Sequence, residues 1–313
     1  MDVWQLVVKK AKKIVHKINK TVHSYPKLPK FSLEEENLPF QIGSKVSKKD
    51  YNVFLDHNES SGYKFHWDNG NIYIVDLANE EHEVITSLLT QVFAIPNGGI
   101  RRSPPIVVAG QTFHYNPSDI ALKIAPDIAV RSNTAHVLRP TIPHPGPPPS
   151  NTINNPHARI IYEIAIAQST SYWEEKCVNW MNEQYVRCVF GIKIHNIRTL
   201  NRRVHRSMTA RLWTRKTPAT PGSTPVAGLA GIFVQEWDFG TLQFNSNNPT
   251  GCTGPNIPAY QVNIPVSDVF WNPPIVAGIP NVIGYTVVVP PVVTANNFII
   301  DLYDIQQNVL ETQ

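Results

Sequence analysis

Three residues of this chain, Asp127, Glu163 and Lys176, have types and settings that could do chemistry together. Asp127 follows Pro126. Glu163 is the one charge after Arg159 in the apolar run 159–167, and Lys176 stands beyond it, past the polar turn Gln168-Ser169-Thr170. Two carboxylates and an ammonium are the minimum set for holding a hard divalent cation and activating water beside a phosphate. The chemistry implied is metal-assisted phosphodiester cleavage.

Such a set needs elements to bring it together. The run 159–167 has the near-continuous apolar character of a strand covered on both faces. Ser171 with Glu174 forms a capping box that predicts a helix over 172–185, and 186–194 (VRCVFGIKI) reads as a second buried strand. Strand, helix and strand in that order predict a right-handed crossover in one sheet, so Lys176 would reach back over the strand end where Glu163 emerges. Upstream, Ser47 with Asp50 caps a helix, and Asn69-Gly70 joins hairpin strands over 63–67 and 71–76. A helix starting near Asn79 should bury Val84, Leu88 and Val92, with Glu81 and His82 in its first turn. The prolines between 139 and 156 predict an extended, mobile excursion. Arg198, Arg202, Arg203 and Arg206 fall on a segment that reads as hairpin or loop. Beyond the flexible 217–225, strands are expected over 228–244 and 260–271, and GYTVVVPPVV near the end is beta-like.

At 313 residues with 42% apolar composition, the chain can bury a sizeable interior. Its three cysteines, Cys177, Cys188 and Cys252, lack the number and spacing of a disulfide framework or a structural zinc site, which fits a reducing, intracellular compartment, cytoplasmic or nuclear. No run has the length of a membrane span, and no secretory leader is read. The net charge of +4 is uneven: residues 1–30 hold eight Lys and one Asp, and 186–216 hold nine Lys/Arg and no acid. Concentrated basic charge is what local contact with a polyanion requires, and solvated basic faces are the plain alternative. Residues 1–20 form a basic amphipathic helix, able to lie on nucleic acid, on a membrane surface or on the protein itself.

Tyr63, Asp68-Asn69-Gly70, Glu81-His82, Pro126-Asp127, Glu163, Gln168-Ser169-Thr170, Glu174 and Lys176, in that order, resemble the motif series of the Uma2 family of restriction-type endonucleases, a branch of the PD-(D/E)-x-K superfamily. The likeness runs from about 47 to 194, and weakly on to 271 through YQVNIPVSDVFW. The position two residues after the acid, where that pattern has its lysine, is Ala165 here, and Lys176 is the substitute. The resemblance implies an α/β, restriction-endonuclease-like mixed central sheet flanked by helices. The expected organisation is a basic helix and linker over 1–46, a nuclease-like core over 47–216 with the Pro-rich insertion at 139–156, and a linker with a β-rich extension over 217–313. It implies a DNA endonuclease using Mg²⁺ held by Asp127 and Glu163, with the carbonyl of Ile164 as a further ligand. Lys176 would orient the attacking water, Glu81 would be accessory, and Arg198, Arg202, Arg203 and Arg206 would contact DNA. A homodimer and membrane contact through 1–20 are secondary expectations. The competing function is an inactive nuclease-fold protein that binds nucleic acid or acts as a scaffold. At the level of single residues, the plain alternatives are Glu163 as an ion-pair partner of Lys176 or Arg159, Asp127 as a turn cap, Lys176 as a solvated lysine and Glu81 as a dipole-favoured first-turn residue. His66, His82 and His114 read as ordinary polar residues.

Overall fold

The computed structural model describes residues 25–215 and 222–312, so the basic helix expected over 1–20 lies outside the described residues. In chain order, β1 (Phe40–Gly43) and α1 (Lys48–His57) precede the hairpin β2 (Tyr63–Asp68) and β3 (Asn71–Leu77), followed by α2 (Glu80–Ala94). Then come β4 (Ile106–Ala109), the small hairpin β5 (His114–Asn116) and β6 (Asp119–Ile124), and β7 (Ile128–Ser132). The central unit is β8 (Ile160–Ala165), α3 (Thr170–Met181) and β9 (Cys188–Ile194). It continues through the hairpin β10 (Arg198–Leu200) and β11 (Arg203–His205) to β12 (Met208–Thr214), β13 (Thr224–Pro225) and β14 (Phe233–Asp238). The chain ends with β15 (Gln261–Pro265), the bridge pair β16 (Ile275–Val276) and β17 (Ile279–Pro280), β18 (Asn297–Asp301) and α4 (Leu302–Glu311).

Seven strands form a mixed sheet in the order β13-β14-β12-β9-β8-β7-β4, in which β8 and β9 run parallel and the other described pairs antiparallel. A parallel pair needs a crossover, and α3 supplies it. One face of the sheet packs Ile160, Tyr162 and Ile164 of β8 against Ile85, Leu89 and Phe93 of α2 and Leu302, Ile305 and Val309 of α4. The other packs Ile161 and Ala165 against Trp173, Cys177, Trp180 and Met181 of α3, an i, i+4, i+7, i+8 stripe. A separate small core joins α1 to the sheet β1-β3-β2 through Tyr51, Phe54, Leu55 and Ile72. No helix among the described residues is long and apolar enough to cross a membrane.

Several boundaries differ from expectation. α3 starts at Thr170 because Ser169, not Ser171, accepts from the Tyr172 amide at 3.2 Å, and Glu174 turns to Arg211 at 2.8 Å instead of closing a capping box. α2 buries His82, Ile85, Leu89 and Phe93, one residue on from the expected stripe, since the sheet and α4 together define its inner face; Val84, Leu88 and Val92 pack at the margin. The proline tract is not a loose excursion: the His144 ring stacks on Tyr115 at 3.5 Å, and buried Asn151 accepts from the amides of Ile153 and Asn155 at 3.2 and 2.8 Å. GYTVVVPPVV forms no strand, because Pro290 and Pro291 withhold ladder donors and Val288 projects into solvent. The boundary expected at 216–217 falls between β12 and β14, neighbours in one sheet, and β15, β18 and α4 share the core of α2 and β8.

Candidate functional site

Every residue of β8 is buried, and side-chain alternation sends Glu163, flanked by Ile161 and Ala165, toward α3. Lys176 and Trp180, one helical turn apart, meet it there. Lys176 Nζ lies 2.8 Å from Glu163 Oε2, and the Trp180 indole donates to Oε1 at 2.6 Å. At 2% exposure a carboxylate persists only with such partners. Burial raises the Glu163 carboxyl, Lys176 opposes the rise, and the charge of Asp127 adds to it. Burial also works against the Lys176 ammonium, but Glu163 and then Asp127 outweigh it and hold Lys176 charged.

Asp127 sits just before β7 and is 3% exposed. Its amide donates to Tyr162 O at 3.1 Å, carrying the β7–β8 pairing one residue further and turning the carboxylate toward the C-terminal end of β8. There Oδ2 accepts from the Ile164 amide at 2.6 Å and from Lys64 Nζ at 2.8 Å, while Oδ1 lies 3.1 Å from His82 Nε2. Burial pushes this carboxyl upward, but Lys64 and then His82 and Lys176 outweigh it and hold it well below the usual carboxylate range. The two buried carboxyls are thus shifted in opposite directions: burial wins at Glu163, and the cationic partners win at Asp127.

Lys64 arrives from β2. Its register partner is Asp76, while Phe65 pairs with Ile74, so β3 carries one extra residue at Val75. A bulge of this kind re-aims side chains. Here it turns Lys64 and Asp76 onto the C-terminal end of β8: Lys64 Nζ donates to the Ile164 carbonyl at 2.7 Å, and Asp76 accepts from the amides of Ile166 and Ala167 at 3.1 and 3.0 Å. Lys193 donates to the Ile166 carbonyl beside them; burial lowers its ammonium to about 8 against the pull of Asp76.

The ensemble opens on a groove of about 320 Å³ whose walls include Lys64, His66, Asp127, Tyr172 and Lys176; Glu163 is not one of its lining residues. Asp127, Glu163 and Lys176 all meet at β8, an internal strand of the sheet: Asp127 accepts from the Ile164 amide, and Lys176 donates to Glu163 from α3. Glu81 does not join them, because its carboxylate pairs with Arg206, itself buried. Arg198 also turns inward, donating to the carbonyls of Ser246 and Gln243 at 3.0 and 2.6 Å. Arg202 and Arg203 stand exposed at the β10–β11 turn, where Asn201 and Arg202 take the left-handed conformation of a tight hairpin.

Lys64, Asp76, His82 and Trp180 are the participants that spacing did not single out. Trp180 was findable at i+4 from Lys176, and His82 adjoins Glu81 on the sequence. Lys64 and Asp76 had no local signal.

Among the described residues no three His, Cys, Asp or Glu side chains form a ready metal cage. Mg²⁺ seldom uses one: it takes one or two carboxylates, keeps waters and shares substrate phosphate oxygens. Asp127 Oδ2 and the Ile164 carbonyl are hard oxygen donors that already converge on one cation, the Lys64 ammonium. That donor chemistry fits Mg²⁺. No known protein-family model matches the chain, and no curated protein is significantly similar to it.

Proposed function

We propose that this chain is a Mg²⁺-dependent DNA endonuclease of the restriction-endonuclease-like, PD-(D/E)-x-K kind, as the motif series resembling the Uma2 family implies. The observation that carries the reading is the convergence of Asp127 Oδ2 and the Ile164 carbonyl on a single cation, beside the Glu163–Lys176 pair. A mixed sheet with helices on both faces supports it.

Asp127, Glu163 and the Ile164 carbonyl would hold the metal. Mg²⁺, when bound, supplies Lewis-acid polarisation of the scissile phosphate. Lys176, on the groove wall, orients the attacking water and offsets charge on the phosphoryl oxygens, a task suited to an ammonium in a half-dry setting. His82 fixes the orientation of Asp127 from α2. Arg202 and Arg203 reach the phosphate backbone, so affinity for DNA falls steeply with salt.

The test is cleavage of supercoiled plasmid with and without Mg²⁺. Wild type should nick it only with the metal, and Glu163→Gln, which keeps an acceptor for Trp180, should be slower by about 10²-fold or more. Equal cleavage by the two proteins sinks this centre. A second reading, a non-catalytic nucleic-acid-binding module, is favoured by the ammonium groups that close both carboxylates. Calorimetric DNA binding without Mg²⁺ uptake, unchanged in Asp127→Ala, would select it.

A further inference from the structure

The Lys64 ammonium makes two short contacts, to Asp127 Oδ2 at 2.8 Å and to the Ile164 carbonyl oxygen at 2.7 Å. One oxygen comes from the segment before β7, where Asp127 lines the groove, and the other from β8. An ammonium bound by both occupies the position from which a divalent cation would bind them.

Lys64 belongs to the hairpin β2–β3, whose small core with α1 is separate from the cores on the main sheet. It is directed inward by the bulge opposite Val75. Its four-carbon stem also lines the groove of about 320 Å³, which gives the ammonium a way out of the centre without unfolding β2.

We propose that Lys64 and a divalent cation compete for one seat, between Asp127 and the Ile164 carbonyl, so that Lys64 sets the metal affinity of this centre. The inference rests on the metal-site reading of Asp127 and Glu163 and adds to it a residue outside that set. In the resting protein Lys64 neutralises Asp127; metal entry requires its side chain to swing into the groove. The apparent affinity is then the intrinsic affinity reduced by the fraction of molecules in which Lys64 has left. Removing the ammonium removes that reduction.

The experiment is calorimetric titration of full-length protein with Mn²⁺ and with Mg²⁺, without DNA, alongside the metal-induced shift of the melting temperature. The proteins are wild type, Lys64→Met, Lys64→Gln, Asp127→Asn and the double variant Lys64→Met with Asp127→Asn, each checked for folding by circular dichroism. The expected result is at least about tenfold tighter binding by Lys64→Met, corresponding to a seat free in a tenth or less of wild-type molecules. The double variant should lose the gain. Lys64→Gln carries the same expectation and decides the matter if Lys64→Met does not fold. Binding by wild type that Asp127→Asn abolishes, but that neither Lys64 variant strengthens, overturns the competition while leaving the metal site standing. Absence of binding in every folded protein, Lys64 variants included, overturns both.

Discussion

The rings of His114 and His157 lie 4.5 Å apart behind Trp180, the residue that holds Glu163 Oε1, so the support of the centre is itself titratable. His157 is buried, with Nδ1 2.8 Å from the Ala158 carbonyl. Burial, opposed by that carbonyl contact and reinforced by Arg159, lowers it to about 4 from an ordinary 6.5. A histidine depressed in the folded state stays neutral there while the unfolded chain takes up its proton. Stability is therefore full above about pH 6.5 and is lost as pH falls toward 4. For His157 alone the loss between pH 6.5 and 4.5 should be about 2 kcal/mol. Urea unfolding of wild type and His157→Gln at the two pH values checks this: the variant should show a drop smaller by about that amount. Identical drops would mean that His157 is protonated or solvated in the folded protein. His114 is depressed in the same direction, by burial first and by the neighbouring ring second, and should add to the wild-type slope.

Elements bring the centre together through one close approach, of α3 to β9. Gly191 is the register partner of Glu163, and a Cβ on it would stand 2.6 Å from the Trp173 ring. The missing side chain lets Trp173 lie on the sheet beneath Arg211, whose guanidinium is 5.6 Å from the ring centroid, and keeps Lys176 and Trp180 within reach of Glu163. Gly191→Val should lift α3 and cost about 1–3 kcal/mol by overpacking, seen as a lower urea midpoint, with a changed tryptophan emission. An unchanged midpoint would show that Trp173 can relocate without loss. Much of this arrangement was legible in sequence: the Glu163 strand, the helix after it and the return strand all follow from apolar runs and a polar turn. The exact cap was not, because Ser169 and Ser171 offer the same chemistry two residues apart. Lys64 and Asp76 were not legible because their aim depends on a bulge at Val75 that no residue type announces. Glu81 and His82 share a helical turn, and sequence favoured the carboxylate; packing sent Glu81 to Arg206, a residue far along the chain, and left His82 on Asp127.

For the molecule as a whole, the end of the chain is part of the foundation of the centre. In sequence 298–305 (FIIDLYDI) reads only as a short acidic segment, because the alternation in β18 spans five residues and α4 is interrupted by polar ones. Once folded, β18 pairs with β15, and α4 lays Leu302, Ile305 and Val309 against the cluster that contains Ile85, Leu89 and Phe93 of α2. α2 in turn presents His82 to Asp127. Removing α4 by a stop after Asp301 would expose that cluster and forfeit the burial of three large aliphatic side chains, each contributing about 1.5–3 kcal/mol. Their sum is comparable with the entire stability of an ordinary domain. The truncated chain should therefore lose cooperative unfolding, measured by near-ultraviolet circular dichroism across a urea series. Val309→Ala, a milder change in the same helix, should keep the transition and lower its midpoint by the equivalent of about 1–3 kcal/mol. If instead the truncated chain melts as sharply as wild type, α4 is an ornament, and α2 owes its position, and His82 its contact with Asp127, to the sheet alone.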